Sequence, residues 1–257
     1  MKGLEILKVK DKNEKHYKKK GDLFDLSFRL LIVGKSFLSG KTNLMTNLLL
    51  RDEDRLYRDE FKGENIYLVS PSAHTDHKMK MIIEEKDIPP CNVMTEFDND
   101  IIDAIYENCK DDFNEKVQNG DKPENILFIF DDMSAGGNLK KNKTGALEKI
   151  FCNGRHILAS CIVTGQQYIQ IPTCARENCT ACILFKMTDR QLDVVTEEHN
   201  FLENKRDFKK MFRKVTNEPH SFLCVNYSNP PEKMYMNREF LPVGKCGGVK
   251  GRDCGCK

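Results

Sequence analysis

An apolar segment that runs into a glycine-bearing loop and then into a helix constrains this chain more than any other feature. Residues 30–50 read LLIVGKSFLSGKTNLMTNLLL, and the loop ends in Gly40, Lys41 and Thr42. After the loop, apolar side chains form one stripe at helical spacing: Leu44, Met45, Leu48 and Leu49. A strand, a glycine-bearing loop and a helix N-terminus in this order predict a loop that binds nucleotide phosphates.

Each residue type in this loop has a chemical role. Backbone N–H groups and the positive end of the helix dipole surround the β-phosphate of a bound nucleotide, so Gly34, Ser39 and Gly40 are predicted to contact ATP. Lys41 is expected to reach the β- and γ-phosphate oxygens, and the Thr42 hydroxyl to ligate Mg²⁺. The first glycine stands one position earlier than in the usual G-x-x-x-x-G-K-[ST] pattern. The loop is therefore one residue longer, or shifted.

A second motif supports the nucleotide site. Residues 126–133 read ILFIFDDM, a continuous apolar run that is typical of a strand buried on both faces of a parallel sheet and that closes with two carboxylates. In a Walker B strand, the first carboxylate, here Asp131, holds the Mg²⁺ ion with its water shell. The second, Asp132, orients or deprotonates the attacking water.

Five segments have the apolar character of strands, and polar or helical segments separate them: 28–33, 66–70, 126–130, 158–164 and 182–186. Strands that alternate with helical stretches predict an α/β fold with a mainly parallel central sheet flanked by helices. Together with the two nucleotide motifs, this pattern predicts a P-loop NTPase of the ASCE, RecA-like type. The fourth segment is followed by Gln166, which is expected to sense the γ-phosphate or the attacking water, with Gln167 as the alternative.

Composition sets the outer limits of the prediction. The chain has 257 residues, of which 39% are hydrophobic, enough for one sizeable core. Eight lysines against three acids in the first twenty residues indicate a basic arm over 1–21, ahead of a P-loop ATPase domain over 22–243 and a Gly/Cys-rich tail over 244–257. No apolar stretch is long enough to span a bilayer, no signal peptide is evident, and eleven cysteines favour a reducing compartment. We therefore expect an intracellular protein.

Three further segments stand out in composition. The polar, glycine-bearing basic loop over 134–145, with Lys140, Lys141 and Lys143, is predicted to be exposed. The basic segment over 205–214 carries Phe208, Met211 and Phe212 at helical spacing, which favours an amphipathic surface helix. Three cysteines in the tail are candidate zinc ligands, and the sequence shows no evident fourth ligand beside them: Cys246, Cys254 and Cys256. Zinc binding by the tail therefore stays open.

Several blocks together resemble one family. They are IYLVSP at 66–71, FDDM at 130–133, GRH at 154–156, TGQQY at 164–168 followed by IP at 171–172, REN at 176–178 and ILFK at 183–186. In order and spacing they resemble the genome-packaging ATPases of large DNA viruses (poxviruses, giant viruses, virophages and Polinton-type elements) within the FtsK–HerA group of ring-forming DNA pumps. The resemblance extends over roughly residues 28–243.

The resemblance implies a function and partners. Members of this family hydrolyse ATP and thread double-stranded DNA into a preformed capsid as a homo-oligomeric ring, a hexamer, which implies capsid or membrane proteins of the virion as further partners and a host cytoplasm, viral factory or virion location. Arg155 matches the arginine finger that a neighbouring subunit inserts, and Arg176 is the alternative finger. Asp132 stands where many related pumps carry the longer glutamate. A pump that holds DNA without reading its sequence contacts phosphates through lysine and arginine, so the resemblance makes the 134–145 loop (Lys140, Lys141 and Lys143) a candidate for DNA contacts and adds a second DNA contact as the alternative for the segment over 205–214.

Two other function classes remain open from the sequence. A P-loop kinase of a nucleotide or metabolite would normally carry an arginine-rich lid and an acceptor pocket, and neither is evident in the sequence. A nucleotide-binding scaffold without turnover would keep the fold and lose the activity. The lengthened phosphate loop, with Phe37 and Leu38 where small residues are usual, is the one feature that favours the scaffold.

Overall fold

A single eight-stranded sheet organises the protein. The structure is a computed structural model, and it describes residues 21, 23–36, 39–53, 56–132 and 145–244. The strands are β1 (Arg29–Val33), β2 (Ile66–Val69), β3 (Val93–Met94), β4 (Ile126–Phe130), β5 (Ala159–Gly165), β6 (Ala181–Phe185), β7 (Phe222–Asn226) and β8 (Tyr235–Met236). Their spatial order is β3-β2-β4-β5-β1-β6-β7-β8. Strand β7 runs antiparallel to both of its neighbours, β6 and β8, and all other neighbouring strands are parallel.

Helices cover both faces of the sheet. They are α1 (Lys41–Leu50), α2 (His77–Glu85), α3 (Asn99–Asn119), α4 (Gly145–Asn153), α5 (Thr173–Asn178), α6 (Asp189–His199) and α7 (Lys205–Val215). Side chains of β1 alternate between two hydrophobic clusters: Leu31 and Val33 pack on the α3, α4, α6 and α7 face, and Leu30 and Ile32 pack on the α1 and α2 face. Burial on both faces explains why the central strands are apolar throughout.

The predicted α/β fold is confirmed. Each of the five predicted strands is present, with ends that differ by at most one residue. Strand β5 lies between β1 and β4, which is the arrangement that the ASCE class requires, because the strand that carries the sensor then separates the two Walker strands. Three strands were not predicted. Two of them, β3 and β8, are only two residues long, and the third is β7, which completes the antiparallel side of the sheet.

The basic segment over 205–214 forms an amphipathic surface helix, α7, as one of its two sequence interpretations predicts. Phe208, Met211 and Phe212 are buried against the core. Its basic side chains meet acids of α6 in three regularly spaced ion pairs: Asp189–Arg213, Asp193–Lys209 and Glu197–Lys205. The two helices therefore pack antiparallel, with one basic row of α7 paired within the chain.

Candidate nucleotide site

The site lies at one edge of the sheet because parallel strands direct their carboxyl ends the same way. Strands β1, β5 and β4 are neighbours, so the loops that follow them meet at this edge. The phosphate loop follows β1, the two carboxylates follow β4, and Gln166 follows β5. In open α/β sheets this edge is where ligands bind.

At Gly34, the start of the phosphate loop lies very close to Ser39 near the end of the loop and to Phe185 of β6. A Cβ atom at this position would lie 2.5 Å from the Cβ of Ser39 and 2.8 Å from the Cβ of Phe185, closer than real side chains approach. Gly40 has a φ of 85° in the left-handed region, which glycine adopts without strain, and α1 begins at the next residue. Phe37 and Leu38 lie outside the described residues.

Lys41 extends back over the loop that precedes it. Its Nζ donates a hydrogen bond of 2.8 Å to the carbonyl oxygen of Gly34, and only 7% of the residue is exposed. Burial lowers the pKa of Lys41, and the charges of Asp132 and Asp131 oppose that shift. The ammonium therefore lies near both carboxylates of the Walker B strand. Thr42 follows in the first turn of α1 and is half-buried.

Asp131 is a buried carboxylate with a fixed orientation. Ser70 Oγ donates to its Oδ2 at 2.9 Å, and Thr164 Oγ1 donates to its Oδ1 at 2.7 Å. The two donors stand at the ends of β2 and β5, the strands on either side of β4. Burial raises the pKa of Asp131, and the hydrogen bonds from Thr164 and Ser70 oppose the rise. Hydroxyl and carboxylate oxygens of this kind are the ligands that Mg²⁺ prefers.

Asp132 turns out of the strand toward Gln166. Its φ of 48° lies in the left-handed region, and its backbone N–H donates to Thr164 Oγ1 at 2.9 Å. Gln166 Nε2 donates to Asp132 Oδ2 at 2.8 Å. Gln167, the alternative sensor, is exposed. The structure thus brings together Lys41, Asp131, Asp132 and Gln166, four residues that the sequence analysis assigned to one site.

The structure does not bring Arg155 to this site. Arg155 is exposed in a short 3₁₀ helix just before β5, at the opposite edge of the sheet, and the seven residues of β5 separate it from Gln166. At roughly 3.3 Å per residue this is a distance of about 20 Å. Burial lowers the pKa of Arg29, at the start of β1, and the charge of Arg155 adds to the shift, so the two guanidinium groups are neighbours.

Arg176, the alternative finger, is held inside the chain. Its guanidinium forms an ion pair with Glu198, donates to Ile171 O at 3.2 Å and to Thr173 Oγ1 at 3.2 Å, and lies 5.2 Å from the centroid of the Tyr168 ring. Only 12% of its side chain is exposed. An arginine that reaches into another subunit needs a free guanidinium, so this geometry favours Arg155.

Sequence reasoning missed two residues that hold the site, Ser70 and Thr164. Both lie within the sequence motifs at 66–71 and 164–168, and those motifs alone give neither residue a role. The signal that could have identified them is positional: each is a hydroxyl residue at the end of a predicted strand, where parallel strands bring their ends together. The spatial order of the sheet decides which strands lie beside β4, and that order cannot be read from the sequence.

A cavity of about 480 Å³ opens beside the phosphate loop, on the side of β1 that faces away from Asp131. Its wall is formed by the loop that follows β6 and the loop that precedes β7, and it includes Lys35, Ser39, Phe185, Met187, Pro219 and His220. The candidate DNA loop (Lys140, Lys141, Lys143) and the tail cysteines (Cys246, Cys254, Cys256) lie outside the described residues, as does all of the predicted basic arm except Gly21.

Comparison with known proteins gives a family and a fold. The family model described as poxvirus A32 protein matches residues 14–228. No curated protein matches the sequence. Among solved structures, the chain is similar to the genome packaging NTPase B204 from Sulfolobus turreted icosahedral virus 2 in complex with AMPPCP, at 13% identity and a TM-score of 0.51, with 79% of this chain and 93% of that chain covered.

Two further solved structures share the fold. The pCW3 conjugation coupling protein TcpA with ATPγS is 11% identical with a TM-score of 0.54, covering 82% of this chain and 59% of that chain. The cytoplasmic domain of the Thermomonospora curvata type VII secretion ATPase EccC is 13% identical with a TM-score of 0.51, covering 79% of this chain and 24% of that chain. At these identities the likenesses establish the P-loop NTPase fold.

Proposed function

Because this chain belongs to the poxvirus A32 protein family, whose members are viral DNA-packaging ATPases, we propose that it hydrolyses ATP to drive double-stranded DNA into a preformed capsid. One observation carries the catalytic part of this proposal. Lys41, Asp131, Asp132 and Gln166 converge at the carboxyl edge of one sheet, joined by hydrogen bonds and by the Coulomb attraction of the lysine to both carboxylates.

The roles of the residues follow from this geometry. Lys41 exchanges its hydrogen bond to Gly34 for the β- and γ-phosphate oxygens of ATP. Asp132 accepts the proton of the attacking water, and the amide of Gln166 fixes the orientation of that carboxylate. The cavity beside the loop accommodates the nucleoside, since the γ-phosphate points toward Asp132 and the rest of the nucleotide extends to the other side of β1.

Thr42 and Asp131 are suited to hold Mg²⁺. Both offer hard oxygen atoms, and Asp131 is oriented by two hydroxyl donors that fix its carboxylate plane. When bound, the ion neutralises charge that develops between the β- and γ-phosphates. A buried carboxylate whose pKa burial raises benefits from a cation beside it, which supports this assignment.

Arg155 is proposed as the arginine finger supplied to a neighbouring subunit. It is exposed, and it lies about 20 Å from the Gln166 of its own chain, too far to act on its own nucleotide. A finger that acts in trans requires a ring of identical subunits, and the family resemblance suggests six. Capsid or membrane proteins of the virion as partners, and the host cytoplasm, viral factory or virion as the location, belong to the same proposal.

The two other function classes are not favoured. Membership of a packaging-ATPase family argues against a metabolite kinase. The scaffold hypothesis rested on the longer phosphate loop, yet Lys41 still reaches the loop carbonyl at Gly34 and lies near both carboxylates. No helix among the described residues combines the length and apolar character that crossing a bilayer requires.

Steady-state ATP hydrolysis with and without double-stranded DNA tests the proposed function. Wild-type protein is expected to hydrolyse ATP faster when DNA is present, and Lys41→Ala and Asp132→Asn are each expected to abolish the stimulated rate. Asp132→Asn should still bind ATP, because the phosphate loop is intact in it. Saturable ATP binding without turnover in the wild type would favour the scaffold instead.

A further inference from the structure

Tyr168 is anchored at the back of the candidate site by a buried polar cluster. The tyrosine is fully buried and follows Gln166 by two residues in the chain. Its hydroxyl contacts Glu198 Oε2 at 2.5 Å and His199 Nε2 at 2.6 Å, and its backbone N–H donates to Gln191 Oε1 at 2.8 Å. All three partners lie on α6. We call these four residues the Tyr168 anchor.

The hydrogen bonds of the anchor have one consistent direction. The Tyr168 hydroxyl donates to the Glu198 carboxylate, so it accepts from His199 Nε2–H, and His199 Nδ1 then accepts from the Tyr227 hydroxyl. This pattern requires a neutral imidazole. Burial lowers the pKa of His199 to about 4, which keeps the ring neutral at physiological pH. Each polar atom in the chain of bonds therefore has a partner.

Arg176 also contacts two residues of the anchor, Glu198 and Tyr168. It pairs with Glu198 and lies over the Tyr168 ring, and its Nε donates to the carbonyl of Ile171. The chain from Tyr168 to Ile171 is thus held at its first residue by α6 and at its last by Arg176. Gln166 and Gln167 are the only residues between this fixed segment and the end of β5.

A buried polar cluster such as the Tyr168 anchor contributes less to stability than its number of hydrogen bonds suggests. Polar groups that lose water on burial regain only part of that free energy in hydrogen bonds, and apolar side chains of the same shape often serve stability as well or better. A fully satisfied polar network has another effect, since it fixes one conformation among several that would pack equally well. The position of the anchor, next to the residue that contacts Asp132, indicates which conformation is being fixed.

We propose that the Tyr168 anchor positions Gln166 against Asp132, so that Tyr168 and Gln191 are positioning residues for ATP hydrolysis. This inference rests on the proposed function, in which Gln166 orients the catalytic carboxylate. With both ends of the neighbouring segment fixed, the Gln166 side chain meets Asp132 Oδ2 at 2.8 Å without having to order the backbone in each catalytic cycle. When the hydrogen bonds of the anchor are removed, the hydrogen bond between Gln166 and Asp132 is formed in a smaller fraction of the molecules, so the chemical step slows.

Tyr168→Phe is the direct test, because it removes the hydroxyl and keeps the buried ring under Arg176. Its matched control is Tyr57→Phe, which also removes the hydroxyl of a fully buried tyrosine, one that donates to Phe24 O at 2.8 Å in the other hydrophobic cluster. We expect Tyr168→Phe to lower kcat about tenfold, with KM for ATP changed less than about twofold, and Tyr57→Phe to leave both unchanged. Gln191→Leu, which removes the acceptor of the Tyr168 N–H, should reproduce the Tyr168→Phe result.

A double-mutant cycle separates positioning from general destabilisation. In a Gln166→Ala background, Tyr168→Phe is expected to have no further effect on kcat, because the residue through which it acts is gone. Equal fractional losses of kcat in the two backgrounds would overturn the anchor proposal and leave the proposed function intact.

Amide hydrogen exchange supplies a readout that needs no activity. Exchange in the 166–170 segment should rise about tenfold in Tyr168→Phe and stay at the wild-type rate in Tyr57→Phe. Unchanged exchange in Tyr168→Phe would overturn the anchor proposal even in a protein that fails to hydrolyse ATP. The failure of the proposed function and the failure of the anchor are thereby distinguished.

Discussion

The Thr164 hydroxyl donates a hydrogen bond of 2.7 Å to Asp131 Oδ1, and the same oxygen accepts the backbone N–H of Asp132 at 2.9 Å. One side chain of β5 therefore holds the carboxylate of Asp131 and the backbone of Asp132 at the end of β4. It also supports the left-handed backbone of Asp132, whose φ of 48° costs a non-glycine residue about 1 kcal/mol or more. Thr164 is as much a part of the site as the two aspartates it holds.

Replacing Thr164 by valine keeps the shape of the side chain and removes the hydroxyl. Asp131 then loses a donor and the Asp132 N–H loses an acceptor, so we expect the free energy of unfolding to fall by about 1–3 kcal/mol. ATP hydrolysis should slow by about tenfold to a hundredfold, because the Asp131 carboxylate loses a donor and the backbone that carries the Asp132 side chain loses its support. Thr164→Ser, which keeps the hydroxyl, should retain most of the activity. A Thr164→Val protein as active as Thr164→Ser would contradict this role.

Gly34→Ala should impair nucleotide binding through a steric clash. The added methyl group would meet Ser39 and Phe185 at distances below 3 Å, so the phosphate loop must move. We expect the Kd for ATP to rise at least about tenfold and the protein to lose about 1–3 kcal/mol of stability. Gly145→Ala is the matched control, since a methyl group there would find its nearest neighbour at 4.0 Å. Equilibrium titration with a fluorescent ATP analogue measures both variants, and equal affinities would rule out the close approach at Gly34.

Complementation between two inactive variants tests whether Arg155 acts in trans. Arg155→Ala should lose about 10³-fold or more of the DNA-stimulated rate, as removal of an arginine finger does in other NTPases, and Lys41→Ala should be inactive. In mixed rings, an Arg155→Ala subunit offers an intact phosphate loop to the intact Arg155 of a Lys41→Ala neighbour. Mixing the two should therefore restore part of the rate. No recovery in rings shown to contain both variants would exclude a finger in trans.

The protein should lose stability in mild acid because of His199. Its pKa is lowered from 6.5 to about 4 in the folded protein, chiefly by burial, so between these values the unfolded chain binds a proton that the folded chain does not. The free energy of unfolding therefore falls as the pH drops through this window, by about 3 kcal/mol in total. Denaturant unfolding of wild type and of His199→Gln at pH 7, 6, 5 and 4 measures the effect. The stability advantage of the wild type should shrink toward pH 4, and an advantage that is independent of pH would refute the assignment.

The central part of the fold was predictable because its strands are buried on both faces and so are apolar throughout. Segment 126–130 matches β4 without a shift at either end. Strand β7 has the same character (FLCVN), yet two helices, α6 and α7, separate it from β6, and it pairs antiparallel, so a pattern of parallel strands joined by single crossover helices does not account for it. Strands β3 and β8 carry two residues each, too few for any periodicity.

The residues of the candidate site also fall into two groups, those that the sequence identifies and those that only the fold brings together. Lys41, Thr42, Asp131 and Asp132 belong to motifs whose chemistry is encoded over a few adjacent residues, so the sequence alone identifies them. Ser70, Thr164 and the Tyr168 anchor depend on which strand lies beside which, and on where α6 packs. Tyr168 and His199 are 31 residues apart in the chain, and only the folded backbone brings the hydroxyl and the imidazole together.

The two-residue outer strands, β3 and β8, limit how copies of this protein can join. A backbone edge of that length offers few hydrogen bonds to another chain, and Pro242 and Val243 already pair with the outer side of β8. In the proposed ring we therefore expect the described parts of neighbouring subunits to meet through side chains. Contacts of this kind can be broken and remade at each step of DNA translocation, whereas a shared β-ladder would hold the subunits rigidly.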